Sequence, residues 1–185
     1  MNPIEFRAKW TATGEGLLDF TDKHFAETDL SADVRQYLIQ SGLPLSAAPF
    51  LELDEFGYRR LQRITERYPA APRHYSNYRC IGHQKMGGAI CVCEHTGRVS
   101  ALNHDSEFAP LLINSSVGQF AASLLAFRDL VVSGTPTGDH IYYGFDVPVE
   151  IANIIKSAIQ SIDSNAMSPD AFWPLEFAEM VKTSG

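Results

Sequence analysis

Between Gly87-Gly88 and Thr96-Gly97 the chain runs Ala89-Ile90-Cys91-Val92-Cys93, five consecutive residues with no charged or amide side chain. The run is short for a buried helix and the right length for a strand. A strand sends alternate side chains to opposite faces, so one that is apolar at every position needs cover on both faces. A layered fold with this strand inside its sheet follows. Gly87-Gly88 reads as a two-residue hairpin turn, because glycine reaches the positive φ such turns need, and Tyr78-Arg79-Cys80-Ile81-Gly82 is then the strand paired to it. Glu94 to Gly97 makes the next turn, Arg98 to Leu102 the next strand, and Leu111-Leu112-Ile113 a further one. The period of a sheet extends over residues 58–114, and the alternation of Phe50-Leu51-Glu52-Leu53 adds a short strand before it. Strands this close in sequence form a largely antiparallel meander.

Helices flank the sheet on both sides in sequence. Ala32 to Gln40 carries Ser31 as N-cap, Val34, Tyr37 and Leu38 as its apolar stripe, and Gly42 as its stop, with Pro44 beyond. Ser116 and Gln119 have the spacing of a capping box, opening a helix with Val117, Phe120, Ala121, Leu124 and Phe127 on one face. From near Asp146-Val147-Pro148, residues Ile151, Ile154, Ile155, Ala158, Ile159 and Ile162 keep helical spacing. Leu175 to Val181 forms a last helix, and Trp173-Pro174 anchors the terminal segment. The order helix, strands, helices predicts an α+β fold: a central, largely antiparallel β-sheet flanked by helices. The 185 residues fit one domain, 1–185, with a core over about 30–182 and residues 1–29 packed as an extension.

The formal net charge of -7 disfavours a nucleic-acid partner, which needs clustered positive charge, and suits a basic protein. No stretch approaches a membrane span and the first residues lack the apolar core of a secretion signal. Three cysteines, with no disulfide-scaffold spacing, point to the cytoplasm.

Several side chains carry chemistry in principle. With a two-residue turn, Cys80 shares a sheet face with Cys91, Cys93 and His95, a set of zinc-ligand types, although the spacing of zinc knuckles is missing and buried cysteine packs as a small hydrophobe. Arg59, Arg60, Arg63 and Arg67 form the basic cluster, with Tyr58 and Tyr68 as possible stacking partners for bases. As a strand they make an ordinary solvated face. His104 and Asp105 have the chemistry of a base and its orienter for Cys91, but a cysteine inside an apolar strand is a poor nucleophile. Among the six histidines there is no His-Glu-x-x-His pair, and the chain has no nucleophile elbow, phosphate loop or dinucleotide fingerprint. No cofactor, metal or catalytic residue is expected.

Gly42-Leu43-Pro44, then Tyr78 with Ile81-Gly82, then Gly88 and Ile90-Cys91-Val92 followed by Thr96-Gly97-Arg98-Val99, resemble the SUKH superfamily in that order. Ile113-Asn114-Ser115-Ser116 running into Phe120 and Leu124, and Phe172-Trp173-Pro174 near the end, complete the pattern over roughly residues 30–180. It is most similar to the fourth group of these bacterial immunity proteins. The resemblance implies a SUKH-like α+β domain whose partner is a cognate toxin, a nuclease, deaminase or other effector, neutralised by contact. Acidic side chains on loops are then the expected contact set: Asp54, Glu55, Glu94, Asp105, Glu107 and Asp139. A scaffold or regulator on the same fold, and an unrecognised hydrolase, are the alternative readings.

Overall fold

In the computed structural model, which describes residues 1–47, 51–53, 60–84, 87–134 (backbone only for 130–134) and 147–181, the chain enters its first helix at Asn2. The Asn2 side chain accepts from the Ile4 amide at 2.9 Å, and Pro3, with no amide hydrogen to leave unpaired, opens α1 (Pro3–Thr11). Phe6 and Trp10 of this helix are fully buried in the main core, so the first residues are part of the core itself. The reason is the i, i+4 spacing of two large aromatics, which puts both on one helix face. β1 (Leu17–Leu18) follows, then α2 (Ala32–Ser41), capped by the Ser31 hydroxyl at 3.3 Å from the Val34 amide and ended by Gly42. β2 (Leu43–Pro44) returns antiparallel to β1.

β3 (Ser46–Ala47), β4 (Leu51–Glu52), β5 (Tyr78–His83), β6 (Ala89–Cys93), β7 (Val99–Leu102) and β8 (Leu111–Asn114) form one antiparallel sheet in sequence order. Phe50, expected to begin the fourth strand, lies outside the described residues. Arg63 to Arg67 does not continue the sheet as the strand expected there. It makes one bridge, Arg63 to Arg79, and then a single helical turn, α3 (Ile64–Arg67), with Ile64 buried.

All five residues of β6 are buried, as a strand covered on both faces must be. The connection from β5 to β6 is longer than two residues: Gln84 pairs with Gly88, the Gly87 amide donates to the Gln84 carbonyl, and only Gly87 of the pair has positive φ (88°). A bulge between Cys80 and Gly82 compensates the longer loop and restores Cys80 opposite Cys91. At Gly82 a Cβ would lie 2.4 Å from Leu51 Cδ1 and 2.9 Å from the Glu52 carbonyl, so a side chain there would push β4 off the sheet.

After the sheet come α4 (Val117–Gly134), α5 (Val149–Ile162) and α6 (Phe172–Met180), the last beginning three residues before the expected Leu175 and ending at Met180. On α5, Ala152, Ile155 and Ile159 are buried but Ile154 is half exposed, because it lies at the edge of the apolar stripe. These helices, with α1 and α2, cover one sheet face: Ile81, Ile90, Val92, Val99, Ala101 and Ile113 meet Phe6, Leu38, Phe120, Ile155 and Trp173. The other face is thinner. Cys80, Ala89, Cys91 and Leu102 meet Ile64, Ala71 and Phe108, with Tyr68, Tyr75 and Tyr78 half-buried against them.

Candidate functional site

The two ends of the sheet hold different kinds of carboxylate. At the end where β5 and β7 begin, Glu94 follows β6. It is 7 % exposed, with its Oε1 2.7 Å from the Nε of a fully buried Arg79 and 2.6 Å from the Asp29 amide. Arg79 also donates to the Leu61 carbonyl at 3.3 Å and to the Glu27 carbonyl. Glu27 has φ 66°, a conformation costly for a residue with a side chain. The ion pair grips the backbone of this turn from both sides, through one carbonyl and one amide. Glu94, expected among the partner-facing acids, is therefore interior: the 27–29 turn closes over it and Arg79 supplies the counter-charge. One signal for this is visible in the chain, since an arginine inside a strand with Cys80, Ile81 and Gly82 beside it needs an acceptor if the strand is buried.

At the same end the Asn114-Ser115-Ser116 stretch divides its labour. Only Ser116 caps α4, its hydroxyl accepting from the Gln119 amide at 3.2 Å. Gln119 does not reach back to the Ser116 amide. Its side chain accepts from the Ser116 hydroxyl and donates to the Ile162 carbonyl, tying α4 to α5. Ser115 and Asn114 instead serve Asp163, a buried carboxylate accepting four hydrogen bonds: from the Ser115 amide (2.6 Å) and hydroxyl (3.0 Å), Asn114 Nδ2 (3.3 Å) and the Asn165 amide (3.2 Å). Asn114 completes itself with Ser123 Oγ at 3.1 Å and by accepting from the Trp173 indole at 3.3 Å. Trp173 is fully buried, and Pro174 follows it in the first turn of α6, where a missing amide hydrogen costs nothing.

The opposite end presents its acids. The loop from β7 to β8 turns on Asn103, whose side chain accepts from the Asp105 amide (3.2 Å) and whose carbonyl accepts from the Phe108 amide (2.8 Å). Glu107 and Phe108 both have positive φ, 54° and 60°. Phe108 turns inward against Tyr68, ring centroids 5.8 Å apart, and is buried. Asp105 and Glu107 are left in solvent, the Asp105 side chain 76 % exposed, with His104 Nε2 3.0 Å from its carboxylate. Tyr68 also donates to the Gly87 carbonyl at 3.3 Å, so this loop and the β5–β6 connection share one support. Glu52, paired across the ladder with His83, and Glu176, 3.5 Å from Gln84 Nε2, stand at the same end. Burial, helped by Glu179, pushes the Glu176 carboxyl up to about 7. Asp54, Glu55 and Asp139 lie outside the described residues.

The remaining candidates do not converge. Cys80 and Cys91 touch, Sγ to Sγ 3.5 Å, while Cys93 accepts from Asn77 Nδ2 at 3.3 Å and His95 is exposed. Among the described residues no three histidine, cysteine, aspartate or glutamate side chains are placed to hold a metal ion. Cys91 is fully buried, and desolvation together with Cys80 pushes its thiol well up, which leaves His104 and Asp105 no nucleophile there. Arg59 and Tyr58 are outside the described residues. Arg60 pairs with Glu66 (3.1 Å) and Glu27 (3.6 Å), Arg63 donates to the Ser76 carbonyl, and Arg67 lies over the Tyr68 ring, so these arginines are spent within the fold. Sequence reasoning named Tyr68 as a stacking partner for bases but did not group it with Tyr75 and Tyr78, half-buried on the thin face of the sheet, because along a strand positions 68 and 75 fall on opposite faces.

Among the described residues no helix is long and apolar enough to cross a membrane. A family model described as SUKH-4 immunity protein matches residues 8–179. No curated protein and no solved structure matches the chain.

Proposed function

Because the chain belongs to the SUKH-4 immunity protein family, we propose that it confers immunity by contact, binding a cognate toxin through the loop between β7 and β8 and neutralising it without catalysis. The observation that carries this reading is the loop's construction. Asn103 hydrogen bonds and a buried Phe108 hold the loop, and Asp105 and Glu107 stand exposed between them. A loop fixed before binding loses little entropy on binding. Exposed carboxylates on a chain of net charge -7 attract a basic toxin surface and speed its encounter. Tyr68, half-buried against Phe108 at the base of the loop, offers aromatic area of the kind interfaces favour.

Asp54, Glu55 and Asp139 remain in the proposed contact set from their sequence positions; Glu94 leaves it, being engaged with Arg79. The toxin is an effector such as a nuclease or deaminase with a basic surface. Co-expression with the candidate toxin tests the proposal, scored by rescue of growth and by co-purification. The double variant Asp105→Lys/Glu107→Lys is expected to weaken binding by tenfold or more at low salt, with a stability change within about 0.5 kcal/mol, as for exposed substitutions generally. An unchanged dissociation constant removes the loop from the interface.

A further inference from the structure

On the thin face of the sheet, Cys80 and Cys91 lie directly opposite one another on β5 and β6, with their sulfurs 3.5 Å apart. The Cys80 amide donates to the Gln62 carbonyl, away from β6. In an antiparallel ladder this makes Cys80 and Cys91 a non-hydrogen-bonded pair, the kind whose Cα atoms approach to about 4.5 Å and whose side chains are closest. Disulfides span Cα separations of about 4.4–6.8 Å, so a bond here requires rotation about the side chains and no separation of the strands. Neither residue is held elsewhere by a disulfide. The third cysteine, Cys93, stands opposite Tyr78 and takes a hydrogen bond from Asn77, which keeps it out of the pair.

We propose that Cys80 and Cys91 form a reversible dithiol–disulfide site whose oxidant is hydrogen peroxide. The oxidant must be small, because the pair sits beneath half-buried tyrosines and a single helical turn. Cys80 reacts first, being 5 % exposed where Cys91 is fully buried. Its thiolate attacks one peroxide oxygen; an S–O bond forms, the O–O bond breaks, and the departing hydroxide takes up the proton Cys80 lost, leaving as water. The Cys91 sulfur then attacks the Cys80 sulfur. The S–S bond forms, the S–O bond breaks, and the second hydroxide takes the Cys91 proton. Two thiols are oxidised to one disulfide and one peroxide is reduced to two waters. The 3.5 Å sulfur contact places Cys91 for the second step; burial pushes its thiol up, which slows that step, and proximity to the activated Cys80 sulfur offsets the loss. The covalent link joins β5 to β6 behind the tyrosines and stiffens that face. It does not depend on the toxin-binding reading.

The folded protein is treated with hydrogen peroxide, unfolded, alkylated and mapped by mass. The expected product retains one alkylatable thiol, on Cys93, and contains a peptide pair joined through Cys80 and Cys91 that dithiothreitol separates. A rise in Tm of several degrees should accompany it, since the link restricts the unfolded chain. Cys93→Ser should still form the link, whereas Cys80→Ser and Cys91→Ser should not. Should either of the last two fail to fold, the peptide map of the wild type and of Cys93→Ser decides alone. Three alkylatable thiols after treatment overturn the proposal, as do a link through Cys93 or a Cys80 that advances to sulfinic acid with no link formed.

Discussion

Where β5 and β7 begin, the acids Glu94 and Asp163 are withdrawn from water and satisfied by named donors; where those strands finish, Asp105 and Glu107 stand in solvent. Both ends fix a loop through a side chain, and the loops differ in whether that side chain bears the charge. At the first end the carboxylates are the fixed points and the backbone wraps them: Glu94 holds the Asp29 amide, and Asp163 holds the Ser115 amide. At the second end an asparagine and a buried phenylalanine are the fixed points and the carboxylates are carried outward. A buried charge costs several kcal/mol in desolvation and must be matched by its partners, so removing a partner is severe. An exposed charge costs almost nothing to the fold and is available to another molecule. The same residue type is thus built into the architecture at one end and exposed to solvent at the other.

The sharpest way to break this contrast is Glu94→Ala. It leaves Arg79 buried without a counter-charge and releases the Asp29 amide; an uncompensated buried charge costs about 3–5 kcal/mol. Urea unfolding measures it, and a loss below about 1 kcal/mol would show that water reaches the pair and the end is not sealed.

Asp163→Asn tests the second buried carboxylate. The amide keeps the shape but turns one acceptor into a donor that faces the Ser115 and Asn114 donors. The expected loss is about 1.5–3 kcal/mol, the worth of hydrogen bonds to a charged group. Because Asn114 also receives the Trp173 indole, near-ultraviolet dichroism of that tryptophan should change in parallel.

Glu176 lies between the extremes, partly buried at the presenting end, and makes the smallest and most specific prediction. Its folded pKa, about 7, is above the ordinary value of 4.5, so the folded state holds the proton more tightly than the unfolded state. The stability this contributes is fully present below about pH 4.5 and is lost as the pH rises through about 7. After discounting for partial exposure, the change is on the order of 1–2 kcal/mol. Glu176→Gln, compared with wild type by urea unfolding at pH 5 and pH 8, should remove the difference. Equal pH slopes in both proteins would place that carboxyl in water with the other acids of its end.

Much of this architecture was legible in the chain because it rests on short-range rules. The Ser31 cap and Gly42 stop of α2, the wholly apolar β6, the meander and the Ile155–Ile159 spacing of α5 each involve residues within one turn or one hairpin of each other. Of the expected contact set, Asp105 and Glu107 were readable as loop acids. The exceptions share a cause. Glu94 looks like any turn acid until Arg79 and the 27–29 turn are brought beside it, and Asp163 meets Ser115 across 48 residues. The α3 turn took the place of a strand because Ile64 found a pocket under the sheet, and tertiary burial outweighs a weak local period.

Local periodicity and capping chemistry act through neighbours along the chain, so the sequence alone determined the α+β class, the order of the strands and the ends of the principal helices. Which carboxylates are buried in the structure and which are left in solvent depends on solvent access and on distant counter-charges. Those exist only once the sheet has brought Arg79 to Glu94 and Asp163 to Asn114, so the tertiary structure decided it.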